Sequence, residues 1–123
     1  MARNRQFRIY FYRTARGERP VRVFLRGLPV KDCRKCLSYL KRVRLEGINL
    51  PKQYVEKLDD NLWEAKPEYN NVEYRFMFGI IGPNRIGVVT ALKKKRMRLP
   101  RTVLDHAMRL ITEMQGQTTQ RGQ

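Results

Sequence analysis

Residues 72–93 read VEYRFMFGIIGPNRIGVVTALK, and this stretch limits the folds open to the chain more than any other. It is rich in aromatic and β-branched residues and is divided by Gly82-Pro83-Asn84, so it reads as two strands joined by a turn. Strand side chains alternate between faces. Val72, Tyr74, Phe76, Phe78 and Ile80 share one face, with Glu73, Arg75 and Met77 on the other. In the second strand Ile86, Val88, Thr90 and Leu92 oppose Arg85, Gly87, Val89, Ala91 and Lys93. Just upstream, Leu62-Trp63-Glu64-Ala65-Lys66 alternates in the same way, and Tyr69-Asn70-Asn71 supplies a turn, so the three strands form an antiparallel meander. If the apolar faces stack on one core, Glu64, Lys66, Arg75 and Lys93 meet on the opposite face. A carboxylate among three cations on a surface that the core does not need is the leading candidate site.

The rest of the chain builds around this meander. Residues 6–13, QFRIYFYR, alternate as a strand, with Phe7, Ile9 and Phe11 on one side and Arg8, Tyr10 and Tyr12 on the other. The second set would either stack on RNA bases or be covered by another layer. Pro20 suits the first position of a short helix that ends by Pro29. A second helix is expected from Asp32, as N-cap, to Glu46, with Cys33, Cys36, Leu37, Leu40 and Val43 forming its apolar stripe and Gly47 closing it. These two helices would cover one side of the sheet. Residues 48–61 read as a connection. Pro100 opens a last helix with Val103, Leu104, Ala107, Met108, Ile111 and Met114 on its apolar face, followed by a polar, disordered tail over residues 115–123. The expected order is β-α-α-β-β-β-α in a single domain over residues 1–114, of α+β class.

The charge argues about partners. The formal net charge is +16 over 123 residues, which favours a polyanionic partner, nucleic acid before membrane. Between Arg85 and Arg109 stand eight cations (Arg85, Lys93, Lys94, Lys95, Arg96, Arg98, Arg101 and Arg109) against the single acid Asp105. That block suggests a phosphate-binding surface; its bland counterpart is a solvated basic rim. No segment approaches the ~20 apolar residues of a membrane span. The N-terminal apolar positions alternate with arginines, unlike a signal peptide, so a cytoplasmic location without a membrane partner is expected. Cys33 and Cys36 have the spacing of half a zinc knuckle, but they lie on a helix's apolar stripe and His106 is the lone histidine. They read as small buried hydrophobes, and neither a metal nor another cofactor is expected.

The candidate residues suit ribonuclease chemistry. Cleavage without a metal needs a base for the ribose 2′-hydroxyl, a charge to hold the phosphorane and an acid for the leaving oxygen. Arg75, fixed mid-sheet, would fork onto phosphate oxygens. One of Lys93, Lys94 and Lys95, each repelled by its neighbours, would act as base, with Glu64 as the carboxylate alternative. The competing reading is a cross-strand Arg75–Glu64 ion pair with no chemistry. Lys66, Arg85, Lys95, Arg96, Arg98 and Arg101 complete the expected RNA-binding set.

The ordered set Leu58-Asp59-Asp60-Asn61-Leu62-Trp63-Glu64, Glu73-Tyr74-Arg75-Phe76, Leu92-Lys93-Lys94-Lys95 and Pro100 with Ala107 and Arg109 resembles the phage Gp49-like, HigB-type branch of the RelE/ParE toxin superfamily. Pro20 to Leu25, Leu28-Pro29 and Leu45 to Leu50 fit the same pattern, so the resemblance covers roughly residues 7–114. It implies a RelE-like fold, a small twisted and mostly antiparallel sheet with helices packed on one face. It also implies the toxin of a type II toxin–antitoxin pair, one that cleaves mRNA on the ribosome without a metal and is held by a helix-turn-helix antitoxin. Arg75 matches the family's strand arginine, Lys93 and Lys94 its basic pair, and Glu64 and Lys66 the acidic and basic positions of its tryptophan strand. The acid and base stay open, since no tyrosine follows Tyr74. Two alternatives also stay open: a non-catalytic toxin that inhibits DNA gyrase, as in the ParE branch, and a basic RNA- or ribosome-binding module without cleavage.

Overall fold

The computed structural model describes residues 6–94 and 98–121. It contains β1 (Arg8–Phe11), α1 (Pro20–Arg26), α2 (Val30–Glu46), a 3₁₀ turn (Gly47–Asn49), β2 (Val55–Asp59), β3 (Leu62–Ala65), β4 (Glu68–Tyr69), β5 (Val72–Gly82), β6 (Arg85–Lys93) and α3 (Arg101–Arg121). The main sheet is ordered β1-β6-β5-β3-β2, with the short β4 paired to β5. β1 runs parallel to β6, and the other pairs are antiparallel. The fold is therefore α+β with a mixed, mostly antiparallel sheet. A parallel partner for β1 requires a crossover, and α1 and α2 lie within the chain that makes it.

The expected meander is present, with two additions. Residues 55–59, read as connection, form the edge strand β2. Its alternation was masked by an irregularity between Lys57 and Asp59, and its charged side chains suit an edge. α2 begins at Val30 with Pro29 in the capping position and no side-chain cap. Asp32 is not the N-cap; it accepts a hydrogen bond from the Tyr74 hydroxyl at 2.5 Å. Burial, together with that carboxylate, pushes the Tyr74 phenol up to about 12. The polar residues from Gln115 onward, expected as a tail, continue α3 to Arg121. Gly47 ends α2 at φ 62, and a side chain there would strike the Phe7 ring, 2.4 Å from the position of a Cβ.

The helices do not share one face. α1 and α2 send Val21, Leu25, Cys36, Leu40 and Val43 against Tyr74, Phe76, Phe78, Ile86 and Val88. α3 lies on the other side, where Ala107, Leu110, Ile111 and Met114 pack on Leu62, Met77, Ile81 and Val89. The physical reason lies in β5, whose residues 74–79 are all buried. A strand with apolar side chains on both faces needs a cover on both. Tyr12 belongs to the α3 layer, its hydroxyl donating to Glu113 Oε1 at 2.9 Å, and Tyr10 packs beside it. The tyrosine face of β1 is thus covered by a second layer.

α3 can lie this close because Gly79 and Gly87 face each other across β5 and β6. A Cβ on Gly79 would lie 2.6 Å from the Asn61 carbonyl oxygen and 2.7 Å from Ile111 Cδ1. The Asn61 side chain clamps the same place, donating to the Ile80 carbonyl and accepting from the Ile80 amide, both at 2.9 Å. Gly79→Ala is expected to destabilise the protein by about 1–3 kcal/mol, the usual range for overpacking, read as a lower urea midpoint at unchanged slope.

Candidate functional site

Arg75 and Glu64 are the two charged residues that are buried among the described residues, 9% and 2% exposed. Local strand geometry brings them together. Glu64 pairs across the β3–β5 ladder with Met77, so it shares that residue's face, and Arg75 lies one alternation further along the same face. The Arg75 Nη1 donates to Glu64 Oε1. Its Nη2 donates to Glu73 Oε1 at 3.3 Å, and that same oxygen takes the Lys94 ammonium at 3.3 Å. Behind Glu64, across the β2–β3 ladder, stands Glu56, which accepts from Lys66 Nζ at 2.9 Å.

These residues floor a pocket of about 430 Å³, lined by Glu56, Leu58, Glu64, Arg75, Lys94, Arg98, Leu99 and Leu104. It lies on the α3 side of the sheet, where the helix leaves the Arg75 end of β5 uncovered. Arg101, the first residue of α3, is tied to Asp59 at 2.8 Å and to Asp105 at 2.9 Å, which anchors the start of the helix to β2. α3 therefore covers Met77 and Ile81 and stops short of Arg75.

Burial pushes the Glu64 carboxyl above the ordinary carboxylate value, with the Arg75 charge opposing it. The hydrogen bond from Lys66 holds Glu56 below its ordinary value. Glu64 Oε2 and Arg75 Nε are buried and have no hydrogen-bond partner among the described residues. A guanidinium with an unsatisfied N–H, beside a carboxylate with an unsatisfied oxygen, can receive one ligand that both accepts and donates. A phosphodiester with an adjacent hydroxyl has that pattern.

The structure brings together Glu64, Arg75, Lys94 and Arg98, with Lys66 one residue behind. Lys93 does not join them. An irregularity in the β5–β6 register after Met77 leaves Val89 as an extra residue and reverses the alternation expected beyond it. Ala91 consequently falls on the α1–α2 face and Leu92 on the α3 face. Lys93, opposite Tyr74, is exposed on the α1–α2 side. Arg85 begins β6, roughly 26 Å of strand from Lys93, and pairs with Gly82 at the far end of the sheet. Arg101 is exposed but committed to its two acids. Lys95 and Arg96 lie outside the described residues. His106 is exposed on α3, its Nδ1 3.0 Å from Arg109 Nη2. Cys36 is fully buried in the core, and burial pushes its thiol up to about 12. The sequence reading missed Glu56, Glu73 and the apolar wall of Leu58, Leu99 and Leu104. Glu73 was legible, two residues before Arg75 on its face; Glu56 was not, because β2 was not expected.

Fold and pocket together define a small α+β protein that carries a guanidinium–carboxylate pair on the open half of a sheet otherwise covered by helices. The chain belongs to the phage-derived Gp49-like family (DUF891), whose pattern matches residues 23–112, from α1 to α3. That family has a link to toxin–antitoxin systems. No curated protein matches the chain. No helix among the described residues is long and apolar enough to cross a membrane.

The Glu64 carboxyl is expected to titrate above the ordinary carboxylate value, and higher still in Arg75→Gln, where the opposing charge is gone; ¹³C-detected carboxyl titration reads both. The linked effect on stability follows from proton uptake. Between the unfolded and folded values the folded state binds the extra proton, so stability falls as pH rises through that window. The advantage of wild type over Glu64→Gln should therefore shrink as pH rises from the ordinary carboxylate value through the raised one.

Proposed function

We propose that this protein is the toxin of a type II toxin–antitoxin system, a metal-independent endoribonuclease that cleaves mRNA on the ribosome and so stops translation. The observation that carries this reading is the buried Arg75–Glu64 pair, with one polar atom on each that has no partner among the described residues, in a pocket also lined by Lys94 and Arg98. In the proposed reaction a phosphate takes the place of the Glu73 carboxylate on Arg75. Glu73 is the more exposed of the two acids on that guanidinium, its side chain 43% accessible against 3% for Glu64. Arg75 then holds the phosphate in a charge-assisted fork. Glu64, its carboxyl raised above the ordinary carboxylate value by burial, is the group proposed to accept the 2′-hydroxyl proton. The 2′-oxygen attacks phosphorus, a 2′,3′-cyclic phosphate forms and the 5′-oxygen leaves with a proton. Lys94, which shares Glu73 Oε1 with Arg75, is the proposed donor for that proton and a second charge on the phosphate. Lys95, Arg96 and Lys66 add to the RNA-binding surface, and a helix-turn-helix antitoxin is the proposed partner that silences the toxin.

A second reading is a ribosome- or RNA-binding module that does not cleave. It is favoured by the pocket's lining, which includes neither histidine nor tyrosine, and by the engagement of Arg75 with two carboxylates.

Induced expression with 5′-end mapping of cellular mRNA separates the two readings. Wild type should arrest growth and leave cuts within translated regions. Because Arg75 is largely buried, Arg75→Gln must be shown to melt near wild type before its loss of function is read. Lys94→Ala, at a more open position, should lower the cleavage rate by about 10²-fold, typical for loss of a preorganised charge, while Lys93→Ala on the opposite face should cut like wild type. Growth arrest without cuts would replace cleavage with the binding reading or with gyrase inhibition.

A further inference from the structure

We propose that the outward ridge of α2 is a docking surface for an acidic amphipathic helix of a partner protein. α2 turns Cys36, Leu40 and Val43 inward. On its outer side Val30, Leu37 and Leu45, and Ile48 in the following 3₁₀ turn, remain 66%, 46%, 41% and 41% exposed. These are four of the five large apolar side chains that are exposed among the described residues. Val30 and Leu37 are seven residues apart, with Arg34 and Lys41 each four residues further on. At about 100° per residue these four fall within a sector of about 60°. The ridge therefore alternates aliphatic and cationic side chains along one line.

The charge on that line is not neutralised by the described residues. Arg34 and Lys41 are exposed and form no ion pair among the described residues. Arg42 turns to the Tyr54 ring, and the next cation on the ridge side, Arg44, donates to the neutral Gln6 side chain. Of the two acids on α2, Asp32 is taken by Tyr74, and Glu46 projects from another side of the helix by its position in the turn. From Val30 to Ile48 the ridge is about 27 Å long at 1.5 Å per residue.

The steps of seven residues from Val30 to Leu37 and eight from Leu37 to Leu45 are close to the two-turn spacing that a second helix laid alongside can match. The cations between the knobs require carboxylates between the partner's apolar residues. A membrane surface fits less well, because interfacial helices separate a continuous apolar face from flanking cations, whereas here the two alternate. An RNA backbone would engage the cations and leave four aliphatic side chains in water. α2 lies across the sheet from the Arg75 pocket, so the inference stands apart from the cleavage reaction.

The test is an unbiased selection against the full-length chain. A displayed library of single 24-residue helices, randomised along one face, is panned on the wild-type protein. The enriched helices are expected to carry Leu or Ile at seven-residue spacing with Asp or Glu between them. They should bind Leu37→Asp and Lys41→Glu at least tenfold more weakly than wild type, and Lys94→Ala like wild type. Both ridge residues are exposed, so the variants should melt like wild type; a variant that does not is replaced by Arg34→Glu. Enriched helices that are basic or uncharged, or that bind the ridge variants equally well, would overturn the proposal. So would co-sedimentation with phosphatidylglycerol vesicles, or binding to duplex RNA, that is lost in Leu37→Asp, since the ridge would then serve a lipid or a nucleic acid.

Discussion

The double-sided burial of β5 determines most of this architecture. Phe76 and Phe78 face α1 and α2 while Met77 and Ile81 face α3, and all four are essentially removed from water. Burying a side chain of this size contributes on the order of 1.5–3 kcal/mol, so neither face of the strand can be left open along its apolar length. The helices on the two sides are the consequence. So is the glycine pair Gly79–Gly87, without which α3 could not approach one of those faces.

The pocket exists because that requirement ends at Arg75. From Met77 onward the α3 face of β5 is apolar and must be covered; at Arg75 it is charged and need not be. α3 starts where the apolar surface starts, fixed there by Arg101 on Asp59. Leu99 and Leu104 then form a wall beside the charges rather than a lid over them. The pair still carries a cost. Buried ion pairs seldom add stability, and removal of one partner typically costs about 3–5 kcal/mol. Glu64 relieves part of its own cost by holding its proton to a higher pH. A charged pair kept at such a position by a chain with so small a core is more readily explained by use than by stability, which is the argument for placing function there.

Much of this could be read from residue order. The alternation of Trp63 against Glu64, and of Tyr74 and Phe76 against Arg75, places the carboxylate and the guanidinium on one face, and the structure has them there. The turns at Asn70-Asn71 and Asn84 announced themselves by residue type, and all three residues adopt positive φ. What failed were inferences that carried strict alternation across an irregularity. One extra residue at Val89 moved Lys93 to the wrong face, and an irregular register near Leu58 hid β2 and with it Glu56. The expectation of one covered face overlooked that Phe76-Met77-Phe78 leaves no polar side at all. A continuous apolar run within a strand signals burial on both faces, and that signal was present.

The distribution of charge adds a last constraint. The chain as a whole carries +16, yet among the described residues at and beside the pocket Glu56, Glu64 and Glu73 stand against Lys66, Arg75, Lys94 and Arg98, three acids to four cations. Long-range attraction for a polyanion therefore comes from the surrounding surface, where it is non-specific and weakened by salt. On the proposed reading the pocket contributes selection instead: an anion that takes the place of Glu73 on Arg75 is favoured when it also satisfies Glu64. A phosphodiester without a neighbouring hydroxyl meets Arg75 but leaves the Glu64 oxygen unpartnered. A phosphodiester with a neighbouring hydroxyl meets both, and RNA has that hydroxyl where DNA lacks it. On the proposed reading, discrimination between the two nucleic acids resides in the buried pair itself rather than in the basic surface around it.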